Sequence, residues 1–248
     1  MKLHAGIAIL VVALVIFSGY AALFIAPDEA TMHEVQRIFY FHVASWTAMF
    51  IAFSVALIAN ISYLRTRRPK WDWLGVSGAE VGVICCTVGL VTGPLWAKPV
   101  WGIWWTWDAR LTTTFLLWLL YISYLLLRGL IEDPARRATL SAVFGIFAFL
   151  DVPLVYVSNR LWRTQHPQPV VFGGPNAGLD ATMAKVLMIS IVAIVAVTIL
   201  LLAQRYRLER LRHELDELRF AVEERATAAE VQRATAPITT PDYSKGRV

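Results

Sequence analysis

Six stretches of about 20 residues each, nearly free of charge, set the frame for anything this chain can fold into. A hydrocarbon core of roughly 30 Å is crossed by an α-helix of that length, and a soluble core has no use for six of them. The spans are expected from Ala5 to Ala26, Ile38 to Leu64, Leu74 to Trp96, Leu111 to Leu127, Ala138 to Val157 and Lys185 to Ala203. Water is absent at that depth, so backbone N–H and C=O groups must pair within each segment, which makes all six helical. The expected fold class is all-α, a polytopic membrane protein. Composition agrees: 57% of the 248 residues are hydrophobic and only 17% charged, which excludes a disordered chain and argues against an ordinary cytosolic enzyme.

The formal charge of +5 does not point to nucleic acid, because the basic residues cluster beside the apolar runs, where they set topology. One side carries Lys2, then Arg65, Arg67, Arg68 and Lys70, then Arg128, Arg136 and Arg137, then the Arg-rich tail from Arg205; the other has Arg37, Lys98, Arg110, Arg160 and Arg163. Both termini are therefore expected in the cytoplasm. The first span imitates a cleaved signal, with Tyr20-Ala21-Ala22 near its end, but its apolar stretch exceeds the roughly 7 to 15 residues of such signals and reads as a retained helix. Three segments remain outside: Pro27 to Arg37, Ala97 to Arg110 and Ser158 to Ala184. In the last, Pro167, Pro169, Gly173, Gly174, Pro175 and Gly178 predict an irregular loop over the outer face. The domain reading is a membrane domain over 1–204 and a cytoplasmic tail over 205–248. Leu208, Leu211, Leu215, Leu218 and Val222 give that tail a short heptad stripe, expected as an extension of the sixth helix, with a disordered end after Thr235.

The most unusual stretch is Trp101-Gly102-Ile103-Trp104-Trp105-Thr106-Trp107-Asp108-Ala109-Arg110-Leu111-Thr112. On a helix, Trp101, Trp104, Trp105 and Asp108 stand at i, i+3, i+4 and i+7, so three indoles and a carboxylate share one face, a flat shelf suited to a planar aromatic ligand. Pro94 and Pro99 are expected to isolate this segment from the preceding span. An aromatic belt at the membrane interface accounts for Trp there as well, and chemistry alone leaves the two readings open.

The two cysteines, Cys85 and Cys86, are adjacent inside an apolar run, so a disulfide framework, a CxxC redox pair and a C-x-x-C-H haem attachment site are absent from the sequence. Imidazole is then the natural ligand for any iron. Of five histidines, His4 and His213 fall on the cytoplasmic side, leaving His33, His42 and His166 toward the outer face. His42 lies in the first turns of the second span, where an ionisable group usually has a function. Each of them, taken alone, is better accounted for as a hydrogen-bonded or solvated side chain. Two acids lie within spans: Asp151, just before Pro153, is a candidate for capping freed amides or orienting a ligand histidine, and Glu80 is expected to be solvated near the cytoplasmic end.

The tryptophan segment matches W-G-x-x-W-x-W-D-x-R-L-T, the pattern of the haem-handling membrane proteins of cytochrome c maturation, in every fixed position. With six spans and one such segment between the third and fourth, the chain resembles the haem exporter protein C (CcmC) type of that family. The similarity covers roughly Thr31 to Gln204 and includes Gln36-Arg37-Ile38-Phe39-Tyr40-Phe41-His42-Val43 and Asp151-Val152-Pro153-Leu154-Val155-Tyr156 through Leu161-Trp162 to His166.

The resemblance implies a b-type haem, bound without covalent attachment at the periplasmic face of the bacterial inner membrane. The family's two ligating histidines fall on His42 and His166, and His33 becomes a solvated residue after the cap candidate Thr31. Ala44 stands where relatives commonly have Pro, so the helix here can begin earlier and hold His42 in a slightly different attitude. Trp101, Trp104, Trp105, Trp107 and Asp108 form the haem segment, and Arg110, Arg160 and Arg163 are candidates for the propionates, which a guanidinium grips in a forked geometry. Asp108 and Arg110 are alternatively a pair of their own. Partners implied are a haem chaperone, the membrane and ATPase subunits of an ATP-binding cassette transporter, and a small single-span subunit. The sequence has no G-x-x-x-x-G-K-[ST] loop, so ATP use falls to a partner. The role is delivery rather than catalysis, with the looped His166 expected to release iron before the helical His42. A six-helix permease for a small amphiphilic solute, without haem, is the alternative; it calls for charged groups lining a path at mid-membrane, and Glu80 and Asp151 are expected to lack charge partners. A scaffold whose tryptophans form only a belt is the third reading.

Overall fold

A computed structural model describes residues 2–164, 166 and 179–235. The regular structure among them is helical: α1 Lys2–Tyr20, α2 Ile38–Thr66, α3 Pro69–Trp101, α4 Ala109–Leu130, α5 Pro134–Phe149, α6 Asp151–Leu161 and α7 Ala181–Thr235. Six helical stretches are long and apolar enough to cross a membrane, Ala5–Ile25, Glu34–Thr66, Pro69–Trp101, Ala109–Leu130, Pro134–Leu161 and Ala181–Gln232, so the all-α polytopic reading holds. The chain divides into two compact units between Tyr206 and Arg207. In the second unit Arg210 pairs with Glu214 and Arg212 with Glu209 along the helix, and Leu208, Leu211, Leu215, Leu218 and Val222 are exposed. Pro167, Pro169, Gly173, Gly174, Pro175 and Gly178, and the stretch past Thr235 where the tail was expected to lose order, lie outside the described residues.

The first unit is organised around α2 and α3, which share its most extensive contact. A buried ladder of Ala44, Ala48, Ala52, Ala56 and Ala59 on α2 meets Gly75, Gly78, Gly82 and Gly89 on α3, and small residues on both sides let two backbones approach in the absence of a hydrophobic drive between helices. A Cβ at Gly78 would stand 2.8 Å from both Ala52 O and Ala56 N. At Gly82 it would enter the Phe53 ring, and at Gly89 it would meet the Trp46 ring at 2.5 Å. The antiparallel register this imposes sets Asn60 beside Gly75, Phe53 beside Gly82, Trp46 beside Gly89 and His42 beside Gly93. The core continues outward through Phe53 stacked on Tyr121 of α4, ring centres 3.6 Å apart. A second cluster joins Ala21 and Ala22 at the end of α1 to Phe39, Tyr40, Val186 and Leu187, and Ser18 donates to Ser190 across α1 and α7 at 3.0 Å.

Several expectations are corrected here. Pro94 and Pro99 do not isolate the tryptophan segment: α3 runs through both to Trp101, since a membrane-spanning helix tolerates proline where the freed backbone groups are satisfied locally. The fifth span is two helices, α5 and α6, meeting at Leu150, where Pro153 removes one hydrogen bond of the ladder. Asp151 caps nothing: it is 6% exposed and neither carboxylate oxygen has a hydrogen-bond partner. Thr31 is not a helix cap either, since Glu29 accepts from the Thr31 and Met32 amides at 2.8 and 2.6 Å and His33 turns the chain with φ of 49°. Glu80 is not merely solvated but ion-paired with Arg205 of α7, the charge partner it was expected to lack and whose lack counted against the permease reading.

Candidate functional site

His42 sits in the second turn of α2, 4% exposed, because the alanine and glycine ladder holds that turn against α3. Its Nδ1 lies 2.8 Å from Thr92 Oγ1, and Trp46 Nε1–H donates to its Nε2 at 2.9 Å. The Trp46 and Trp96 rings stand edge-on to it, each 5.7 Å away between ring centres. From beyond α6, His166 is brought to the same place: the two imidazole centres are 6.3 Å apart with planes 27° from parallel. A metal sits about 2 Å from an imidazole nitrogen that itself lies about 1 Å from its ring centre, so two rings trans on one iron have centres about 6 Å apart. The observed spacing matches that distance. His33, exposed in the turn before α2, is no part of this pair.

The tryptophan segment takes a different form from the expected helical shelf. Gly102 adopts φ of 75° and its N–H bonds Lys98 O at 3.0 Å, ending α3. Residues 103–108 are not helical, and Asp108 opens α4 as its N-cap, accepting from the Leu111 amide at 3.0 Å and from Thr106 Oγ1 at 3.0 Å. Trp101, Trp104, Trp105 and Asp108 therefore do not share one helix face: a glycine in the left-handed region and a capping aspartate override the 3.6-residue spacing. The indoles form an edge-to-face cluster instead, Trp105 against Trp107 at 5.7 Å and both against Phe115 at 6.3 Å, while Lys98 lies 5.9 Å over Trp104. Trp104 and Trp107 are 56% and 74% exposed, an apolar surface turned outward.

Several buried donors at this end lack partners. Trp96 Nε1, Trp105 Nε1 and Arg110 Nη1 are buried donors with no hydrogen bond. The Asp108 carboxylate is used for capping, with Arg110 two residues further on in the first turn of α4. Orphaned donors beside an imidazole pair suit a ligand that carries both a metal and carboxylates. Arg160 and Arg163 are exposed, with Arg160 stacked over Tyr156 at 5.3 Å. Sequence reasoning missed Thr92, Trp46 and Trp96. The Trp46 spacing of four from His42 on one helix was a signal that could have found it; Thr92 and Trp96 become neighbours only once α2 and α3 are paired.

Fold and site together define a class: a multi-span helical membrane protein with an imidazole pair and an exposed tryptophan cluster at one end. Comparison gives the family. The family model described as heme exporter protein C matches residues 1–221. Heme exporter protein C of Bradyrhizobium diazoefficiens is 31% identical over 191 residues, covering 76% of this chain and 72% of that protein. Its counterpart in Haemophilus influenzae is 29% identical over 196 residues, 76% of this chain and 77% of that one. A putative cytochrome c biosynthesis ccmC-like mitochondrial protein of Marchantia polymorpha is 31% identical over 148 residues, 59% of this chain and 62% of that one. The chain belongs to the heme exporter protein C family, and haem handling for cytochrome c maturation is the function that membership carries.

Proposed function

We propose that this protein holds a b-type haem, without covalent attachment, at the periplasmic face of the bacterial inner membrane and delivers it to a haem chaperone. The observation that carries the reading is the pair His42 and His166, donated by separate elements at 6.3 Å beside a tryptophan segment. Haem is cargo here, and what the chain supplies is position. His42 and His166 take the two axial sites of the iron, which leaves no open coordination position for oxygen. Trp101, Trp104, Trp105 and Trp107 cover the macrocycle and present an apolar rim to the partner, and Asp108 fixes the start of α4 so that Arg110 faces the site. Arg110, with Arg160 and Arg163 nearer water, answers the propionates. Both termini lie in the cytoplasm in this reading, and the ATP-binding cassette subunits and a small single-span subunit are the membrane partners. Release begins at His166, because a ligand outside a helix can move away more readily than one packed in the second turn of α2.

Purification from haem-replete cells tests this. The parent protein is expected to carry a Soret band of haem, His42→Ala and His166→Ala to lose most of it, and Trp104→Ala to retain less than the parent. A colourless parent protein would contradict the reading.

A further inference from the structure

Both ring nitrogens of His42 are engaged, by groups that axial ligation alone does not use. An indole N–H donates and cannot accept, so Trp46 Nε1–H at 2.9 Å makes Nε2 the nitrogen with the lone pair. The ring is then neutral with its proton on Nδ1, which donates to Thr92 Oγ1 at 2.8 Å. The Thr92 hydroxyl hydrogen is committed to the Val88 carbonyl at 2.7 Å, leaving its oxygen to accept. Each proton in the relay has one direction, and the opposite tautomer would set two donors against each other at Nε2.

The surroundings favour Nε2 as the nitrogen that exchanges partners. Thr92 is held on α3 by its bond to Val88, one turn from Gly89 and next to Gly93, where a Cβ would touch His42 Cε1 at 3.4 Å. Trp46 is only half-buried and rests on Gly89, where the missing side chain makes room for its ring. Metal-bound imidazoles are commonly oriented by an acceptor on the other ring N–H, and Thr92 occupies that position.

We infer that Trp46 is a place-holder on the iron-binding nitrogen of His42: its indole N–H occupies the Nε2 lone pair until iron takes it, while Thr92 presets the tautomer. This rests on the axial pair proposed above. In the exchange the Fe–Nε2 bond forms and the Trp46 N–H···Nε2 hydrogen bond breaks; Nδ1 keeps its proton, and no electron moves. Trp46 and iron compete for one lone pair, so Trp46 lowers affinity and eases release. Thr92 is a positioning residue that raises affinity. Substitutions at the two positions therefore act in opposite directions, whereas residues that merely pack would both weaken binding when replaced.

The test is a haem titration of the full chain in detergent, read by the Soret and the ferric low-spin spectrum. Trp46→Phe is expected to bind haem about fivefold more tightly, the equivalent of one net hydrogen bond. Thr92→Val is expected to bind about tenfold more weakly and to shift the ferrous iron–histidine vibration, with Thr92→Ser restoring both. Replacing the Trp46 indole by a benzothiophene side chain keeps the shape and removes only the N–H; it must give the same tightening even if Phe loosens the packing on Gly89. Equal or weaker binding by the benzothiophene protein, or failure of Thr92→Ser to rescue, overturns the inference. If His42→Ala and His166→Ala keep the parent spectrum, the axial pair itself falls. If both lose it while the Trp46 replacements do not tighten binding, only the place-holder falls.

Discussion

The two ends of the membrane unit put their polar groups to different use. At the end of α2 and start of α3, Arg128 grips Asp72 through both carboxylate oxygens at 2.6 and 2.8 Å, Arg67 donates to Thr139 at 2.7 Å, and Arg205 pairs with Glu80. These contacts tie α3 to α4, α3 to α7, and the α2–α3 turn to α5. At the tryptophan end, Trp96, Trp105 and Arg110 carry buried donors with no acceptor, and an imidazole pair stands beside them. A buried polar group left unpaired costs about 1 to 3 kcal/mol; Asn60 Nδ2, Tyr124 OH and Ser141 Oγ are left so toward the other end as well, and what distinguishes the tryptophan end is the imidazole pair beside its unpaired donors.

The largest effect that sharpens this contrast is His42→Ala, expected to remove nearly all bound haem while the helical content measured by circular dichroism stays at the parent level. Asp72→Ala should do the reverse. It removes the carboxylate that Arg128 grips, where both side chains are 10 to 14% exposed, and is expected to cost about 3 kcal/mol in detergent melting with haem per folded molecule unchanged. Loss of haem in Asp72→Ala would break the division between the two ends. Gly78→Ala comes next: its Cβ would press on the backbone of α2 and is expected to cost about 2 kcal/mol by the same melting assay.

Asp108→Ala removes the cap of α4 for about 1 kcal/mol, and Asp108→Asn, an equally good cap, is expected to restore both stability and haem content. The smallest effect is at Glu29. Backbone amides of Met32 and Thr31 hold its carboxyl below the ordinary carboxylate range. The turn it stabilises is at full strength above that range and weakens as the pH falls through the lowered value. Hydrogen exchange at the Thr31 and Met32 amides should therefore quicken in acid in the parent protein and be independent of pH, after correction for the intrinsic rate, in Glu29→Gln.

The number of spans and their placement were legible because bilayer thickness and backbone pairing leave an apolar run few alternatives; α2 begins at Ile38, as its apolar pattern says. The Trp101–Thr112 motif was legible as a segment but not as a conformation. Helical spacing alone cannot register that Gly102 turns left-handed or that Asp108 is worth more as a cap than as a member of a face. Pro94 and Pro99 misled for a related reason, since α3 continues through both despite the missing N–H groups. Thr92 and Trp96 were invisible because nothing local marks them. They matter through the register of α2 on α3, which rests on the small residues facing each other along both helices.

The central claim is that one iron is held between His42 and His166. Its most direct test is the ferric electron paramagnetic resonance spectrum of the haem-loaded parent beside His42→Ala and His166→Ala. Ring planes 27° from parallel direct both imidazole π systems at the same iron d orbital, which predicts a rhombic low-spin signal in the parent and its replacement by a high-spin signal in each variant. A parent that is high-spin, or a low-spin signal that survives in either variant, would contradict the account.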